Sequence, residues 1–419
     1  MTPETTASAS PPLAAAMLGR RTATVVFLAF AFAYFLSALI RAITATLAPT
    51  LTQEFALQAR DLGLLAGGYF LGFSLTQLPL GTWLDRHGPK RVILCFLSVA
   101  VVGCLAFSVA TSFSGLLVAR VLCGVGVSAC LMAPLTGFRR WLDAPSLLRA
   151  NSWMLMSGSL GMLASTLPVQ WLLPLVGWRA LFWGLAALVF LAALMIALAV
   201  PKWSVNKTTA ADVPPGYAEV WQNRYFQKLS PVAFFNYGGL VAVQTLWAGP
   251  WMVKVTGYTP LQAATGLFYI NAVMLVTFWT WGLVSPYLAK AGWHTDRLLV
   301  WGVPLSLLAL AANIAGGAST GWVGWAVFCV ASTVISLSQP AVGMAFKPAL
   351  AGRGLSAFNL IIFSGVFTVQ WGIGLLVDAF AGIGLSTLVS FQAAFSVFLS
   401  CCIAAYGYFL YAKVDNPAQ

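Results

Sequence analysis

The sequence predicts an all-α membrane protein: twelve transmembrane helices in two pseudo-symmetric six-helix halves. Composition is the first reason. Of 419 residues, 60% are hydrophobic and 8% charged, and the mean hydropathy is +0.87. A soluble domain carries about 25% charged residues. The second reason is that about twelve stretches are long and apolar enough to span a bilayer. The third is the longest internal polar stretch, 201–229, which parts six spans from six. This composition excludes a soluble enzyme, a nucleic-acid-binding domain and a disordered chain.

Residues 1–21 open with a Thr/Ala/Ser/Pro-rich run that reads as a disordered cytoplasmic tail. They lack the basic start and apolar core of a signal peptide, so the first helix is expected to be a true span. The N-terminal bundle is expected over 22–200, with spans near 22–48, 61–82, 92–110, 115–137, 152–174 and 180–200. Residues 201–229, with Pro201, Pro214 and Pro215, form the expected cytoplasmic linker. The C-terminal bundle is expected over 230–412, with spans near 230–253, 263–287, 298–317, 321–345, 355–378 and 387–411, followed by a tail at 413–419.

Charge sets the orientation. With the N-terminus in the cytoplasm, 17 of the 22 basic residues fall inside. Arg60, Arg179 and Lys254 fall outside, and Arg41 and Arg120 lie within spans. An even number of spans places both termini inside. The seven cysteines all lie in apolar segments and read as small core residues. His87 and His294 lie in expected loops. No metal or cofactor is expected, and the net charge of +12 reflects topology, not a nucleic-acid partner. Compact loops and an Ala/Leu-rich composition point to a bacterial inner membrane, and one such chain can enclose a pathway as a monomer.

One junction carries a dense motif, Gly81-Thr-Trp-Leu-Asp85-Arg86-His-Gly88-Pro-Lys90-Arg91. Gly81 permits close helix packing. Gly88 permits a turn closed to other residues. Asp85 can cap a helix or pair with cations across the seam between halves. Arg86, Lys90 and Arg91 hold the junction on the cytoplasmic side. A degenerate copy, Ser285-Pro-Tyr-Leu-Ala289-Lys290-Ala-Gly292, follows 204 residues later without the acid.

This motif resembles the signature loop of the major facilitator superfamily, and the twelve spans, central linker and second copy extend the resemblance over the whole chain. Leu116-Leu-Val-Ala-Arg120-Val-Leu-Cys-Gly124-Val-Gly126 is similar to the superfamily's second motif, and Gly177-Trp178-Arg179 is also familiar there. The resemblance implies the major facilitator fold and transport by alternating access. The Gly-Pro-rich fifth-span motif of drug/proton antiporters is missing, since no Pro follows Gly158 and Gly161 until Pro168.

Intramembrane charge points to the pathway, because a charged side chain there costs about 2.5–3.5 kcal/mol on insertion scales. Arg41 lies about 12 Å of helix rise before Pro49. Arg120 is at a comparable depth in the fourth span, so both guanidinium groups are expected over one cavity. Arg41 shares a helix face with Tyr34, Ser37 and Thr44. The competing reading of Arg41 is interhelical packing with bonds to backbone carbonyls. For Arg120 a structural or coupling role rivals substrate contact evenly. Of the ten acids only Asp378 falls in a span, near its outer end. Buried arginines without counter-ions favour an anionic substrate, held by forked hydrogen bonds to carboxylate or phosphate.

The placement of Arg41 and Arg120, with Phe358-Asn359 in the eleventh span, resembles the anion:cation symporter branch, which implies an organic anion such as a sugar acid. Ile40, Val127 and Phe73 stand where that branch has Asp, Glu and Tyr. The first two changes remove the expected proton carriers. That leaves anion exchange, uniport or coupling through another group open. Tyr69 and Gln77, Asn236, Gln244, Trp247 and Trp251, Tyr269 and Asn271, Ser332, Ser336 and Gln339, and Asn359 and Gln370 complete the candidate lining, though any one of them is more often a packing contact. The rivals are an exporter of drugs or amphipathic compounds, which would need a cavity acid, and an organic phosphate exchanger. A sensor would often carry an added soluble domain. A membrane enzyme would need a nucleophile–base pair or metal cluster, and none is visible.

Overall fold

The computed structural model describes residues 17–201, 216–412 and 414. Residues 1–16 of the expected N-terminal tail, 202–215 of the expected linker, and 413 and 415–419 of the expected C-terminal tail lie outside the described residues. Among the described residues every regular element is helical and no strand occurs. The first part comprises α1 (Arg20–Phe55), α2 (Ala59–Leu75), α3 (Gln77–Val109), α4 (Phe113–Val127), α5 (Ala129–Trp141), α6 (Ala144–Ala164) and α7 (Leu167–Ala199). A short α8 (Ala218–Gln222) follows. Then α9 (Arg224–Val232), α10 (Gly238–Ala242) and α11 (Ala248–Lys254) are joined into one pass by π-helical turns at Ala233–Tyr237 and Val243–Trp247. Next come α12 (Pro260–Lys290), α13 (Thr295–Gly316), α14 (Trp322–Ser332), α15 (Ser338–Met344), α16 (Pro348–Gly382) and α17 (Thr387–Tyr411).

Nine helical stretches among the described residues are long and apolar enough to cross a membrane. The second, fifth and seventh expected spans are helical but interrupted. The interruptions are at Thr76, at Ser165 and Thr166, and at the two π turns. Helices also outrun their apolar windows: α1 continues to Phe55, α9 begins at Arg224 inside the expected linker, and α16 runs from Pro348 to Gly382. Backbone hydrogen bonding persists where side chains turn polar, so hydropathy alone underestimates helix length.

The motif expected as a loop is mostly helix. Within α3 only Gly88 leaves helical geometry, at φ 77° and ψ 162°. It makes the whole bend, and Pro89, with φ preset, starts the next helix. Positive φ recurs at matched places. Ala56 (50°) pairs with Gly257 (80°), Gly88 (77°) with Gly292 (76°), and Gly177 (72°) with Gly384 (92°), at separations of 201, 204 and 207 residues. The faint sequence repeat is thus a repeat of backbone turns.

Helices α1–α7 pack mainly on one another, and α12–α17 likewise. The seam between the groups runs chiefly along α2 and α16, with further contact of α1 on the seventh pass and of α12 on α6 and α7. Small residues make this possible: a Cβ on Gly63 or Gly67 would meet Gln370 or Phe367 of α16. At the end of the bundle away from Arg20 and Tyr411, Asp378 of α16 caps α2. Its carboxylate accepts from the backbone N–H groups of Ala59 (3.0 Å) and Arg60 (2.8 Å). Nearby, Glu54 accepts from Trp178 Nε1 and Arg179 Nη1, both at 2.6 Å. At the opposite end Lys228 Nζ donates to Asp296 Oδ2 and to the Val414 carbonyl, each at 2.7 Å, while the Tyr225 hydroxyl donates to Asp296 Oδ1 at 2.6 Å. Lys228 falls within the expected linker, 201–229, yet it is a buried clamp on the C-terminal segment.

Ala56 is the one non-glycine among the described residues with positive φ, at the αL cap that ends α1. Replacing it by glycine relieves Cβ crowding. Ala56→Gly is expected to stabilise the fold by about 0.5–1 kcal/mol, read as a raised thermal unfolding midpoint in detergent.

Candidate functional site

Arg41 lies on the stripe of α1 that also carries Tyr34, Ser37 and Thr44, and all three of those residues are buried in protein. Its guanidinium carbon stands 5.7 Å from the Phe73 ring centroid on α2 and 5.9 Å from that of Phe363 on α16. These two rings are 4.4 Å apart and join across the seam. Tyr34, Tyr69 and Tyr237 act on the same guanidinium, and Nε has no hydrogen-bond partner. Arg41 and Tyr237 are each partly exposed.

Arg120, two turns into α4, is 1% exposed. Its Nη1 donates to the Ile40 carbonyl at 3.0 Å, while Nε and Nη2 have no partner. Its guanidinium carbon lies 5.2 Å from the centroid of Tyr69. The two arginines therefore come together around Tyr69, whose hydroxyl donates to the Ser37 carbonyl at 3.4 Å. They do not face one cavity in the same way. Arg120 is sealed between α1, α2 and α4, and Arg41 reaches the seam. The ion pairs found, Arg60–Asp61, Arg179–Glu54 and Lys228–Asp296, involve neither of them.

The candidate amides are largely paired off. Gln244 Nε2 donates to Asn271 Oδ1 at 2.9 Å, and Asn271 Nδ2 to the Leu267 carbonyl. Gln339 Nε2 donates to Asn359 Oδ1 at 2.6 Å. Gln370 Nε2 donates to Thr245 Oγ1, and Gln77 Nε2 to its own helix at Phe73 O. Asn236 is buried with Oδ1 unpaired. Trp247 Nε1 donates to Gln370 O at 3.0 Å, and Trp251 packs among Trp325, Phe391 and Phe395. Ser336 bonds back to Thr333 O of its own turn, and Ser332 is buried. Tyr269 is 46% exposed and tilts against Trp322, with ring centroids 5.0 Å apart.

Of the Gly81–Arg91 motif, Gly88 makes the bend, Gly81 lies beside Ser356 of α16, and Asp85 is within electrostatic reach of Arg353 and Arg139. Arg86 and Arg91 are exposed. Beside Asp378, about 22 Å of helix rise from Phe363, a cavity of about 620 Å³ is lined by Gln58, Lys254, Asp378, Thr387, Ser390 and Phe391.

Tyr237 and Phe363, both beside Arg41, escape the sequence reading. The π turn at Ala233–Tyr237 shifts the helix face by a residue, so a 3.6-residue count does not place Tyr237 on the seam. No polar signal marks Phe363.

The sequence profile of the Major Facilitator Superfamily matches residues 30–367. The chain is 28% identical to the 4-hydroxybenzoate transporter PcaK of Acinetobacter baylyi over 32% of its own length, and 28% identical to the hexuronate transporter of Escherichia coli K12 over 36%. It spans only 30% and 37% of the length of those two curated relatives. The solved structure of a bacterial homologue of the human lysosomal transporter Spinster, in an inward-facing, unoccupied conformation, superposes with a TM-score of 0.77 at 18% identity, covering 94% of this chain and 98% of that one. The chain belongs to the Major Facilitator Superfamily.

A sealed guanidinium with two unpaired nitrogens burdens the fold. Arg120→Met, similar in length and apolar, is expected to leave the unfolding midpoint unchanged or raised, by up to about 2 kcal/mol in stability. A large drop would show that the Ile40 contact outweighs the desolvation of the charge.

Proposed function

We propose that the chain carries small organic anions, carboxylates or sugar acids, across a bacterial inner membrane by secondary active or facilitated alternating access. The observation that supports this most is Arg41: a guanidinium at the seam of an apolar bundle, with Nε unpaired and no carboxylate among the ion pairs found. A bound carboxylate supplies the missing counter-charge through a forked hydrogen bond. Two relatives bear names of carboxylate substrates, 4-hydroxybenzoate and hexuronate, which fits this reading.

In this reading residues 22–200 rock against 230–411 about a midplane site, with both termini cytoplasmic. The Asp378 cap on α2 closes one end of the seam, and Asp85 near Arg353 and Arg139 holds the other. Arg120 bonds the carbonyl of Ile40, the residue before Arg41, and so positions the anion-binding stretch of α1. Ile40 and Val127 offer no proton carrier, so exchange or uniport is favoured over carboxylate-borne proton symport.

A thermal-shift screen of the purified chain with organic anions and organic phosphates, at pH 5.5 and 7.5, tests this. A ligand at 100 times its dissociation constant stabilises by about 2.7 kcal/mol. Stabilisation by carboxylates, equal at both pH values and weakened about 30-fold or more in Arg41→Gln, is expected. Stabilisation by phosphates alone selects the phosphate exchanger. Stabilisation by lipophilic cations alone sinks the anion reading.

A further inference from the structure

Resting on the anion reading of Arg41, we infer that the substrate is an aromatic monocarboxylate of the benzoate class, not a polyhydroxylated sugar acid. The surroundings of Arg41 are rings. Phe73 and Phe363 stand 5.7 and 5.9 Å from its guanidinium carbon, one contributed by each side of the seam. Phe73 also lies 6.1 Å from Tyr69, and Phe363 lies 6.1 Å from Phe70 in a stacked arrangement. Tyr34 and Tyr237 add two more rings beside the same cation. A carboxylate that bonds the unpaired Nε of Arg41 leaves the rest of its molecule among these rings. An aromatic body there gains stacked and edge-to-face contacts.

The polar groups point the same way. A sugar acid brings several hydroxyls, and each buried hydroxyl needs a partner. The amides that could serve are already engaged: Gln244 with Asn271, Gln339 with Asn359, Gln370 with Thr245, and Gln77 with its own helix. Of the lining amides, Asn236 and Gln370 each keep one unpaired carbonyl oxygen, which serves a single hydroxyl apiece and not a ring of them. The charge is likewise single. Arg120 is 1% exposed, bonded to the Ile40 carbonyl and faced by the Tyr69 ring, so Arg41 is the cation left for substrate. One accessible guanidinium matches one carboxylate.

Binding of benzoate, cyclohexanecarboxylate and glucuronate to the full chain decides this. Benzoate and cyclohexanecarboxylate share a carboxylate and a similar size, but only benzoate has a π face. Benzoate is expected to stabilise the wild type at about three- to tenfold lower concentration than cyclohexanecarboxylate, with no response to glucuronate. Phe363→Leu, which keeps apolar bulk and loses the ring, should erase the benzoate advantage, and Arg41→Gln should abolish both responses. If Phe363→Leu does not fold, the ranking on the wild type still decides. Equal potency of benzoate and cyclohexanecarboxylate overturns the aromatic class. An Arg41-dependent response to glucuronate with none to benzoate also overturns it, and leaves the anion reading standing. Silence from all three acids overturns both readings.

Discussion

A guanidinium cannot shed its proton, so when it is placed inside an apolar bundle it must find compensation there. Arg41 is that constraint, and much around it can be understood as partial compensation. Phe73 and Phe363 offer their ring faces, and Tyr34, Tyr69 and Tyr237 bring hydroxyls. None of these equals a carboxylate. Folding thus leaves an electrostatic deficit at the seam, where two groups of helices meet and where α2 and α16 approach closely enough to require Gly63 and Gly67. Such a deficit is a cost to stability and a source of affinity for any anion that reaches it.

Elsewhere the chain removes polarity from its interior by local means. Ser74, Thr76, Ser108, Ser128, Ser165 and Thr166 each return their hydroxyl to a carbonyl three residues back. Several of these sit where helices break, at Thr76, Ser128 and Ser165–Thr166. They satisfy the freed backbone instead of facing a pathway. The ionic contacts are kept to the ends of the bundle, in the Glu54, Asp378 and Lys228–Asp296 clusters. Against that background, Arg41 and Arg120 stand out as interior charges that appear in none of the ion pairs found.

Much of this was legible in the sequence, and the failures have physical causes. The helical membrane fold followed from composition, and α17 from Thr387 to Tyr411 fell where hydropathy placed it, because a span bounded by Ser386 and a terminal polar run has clear ends. Other ends were blurred, since helices extend past their apolar windows and Gly88 bends the chain without a loop. The lack of a carboxylate for Arg41 could be read from ten acids and their positions. The difference between Arg41 and Arg120 could not, because depth along a helix says nothing of which neighbour seals it. The amide pairs were also invisible: each polar residue was noticed singly, and pairing depends on facing helices. Tyr237 was lost to a π turn, whose extra residue breaks the period on which face assignment rests.

The two guanidinium groups with unpaired nitrogens lie in one copy of the internal repeat only. Backbone turns recur at separations of 201 to 207 residues, at Ala56 and Gly257, Gly88 and Gly292, and Gly177 and Gly384. Turn geometry is held in both copies because each must reverse the chain at the same point. Side-chain chemistry is free to diverge. At separations of 201 to 207 from Arg41 lie residues 242–248, all uncharged, among them Gln244, which is bonded to Asn271. A second arginine there would set two unpaired cations against each other across the seam, and like charges desolvated together repel strongly. A neutral amide lets the two groups of helices close on a single charge. One cation at the seam of two near-equivalent scaffolds is thus the arrangement that adds no second unpaired charge there.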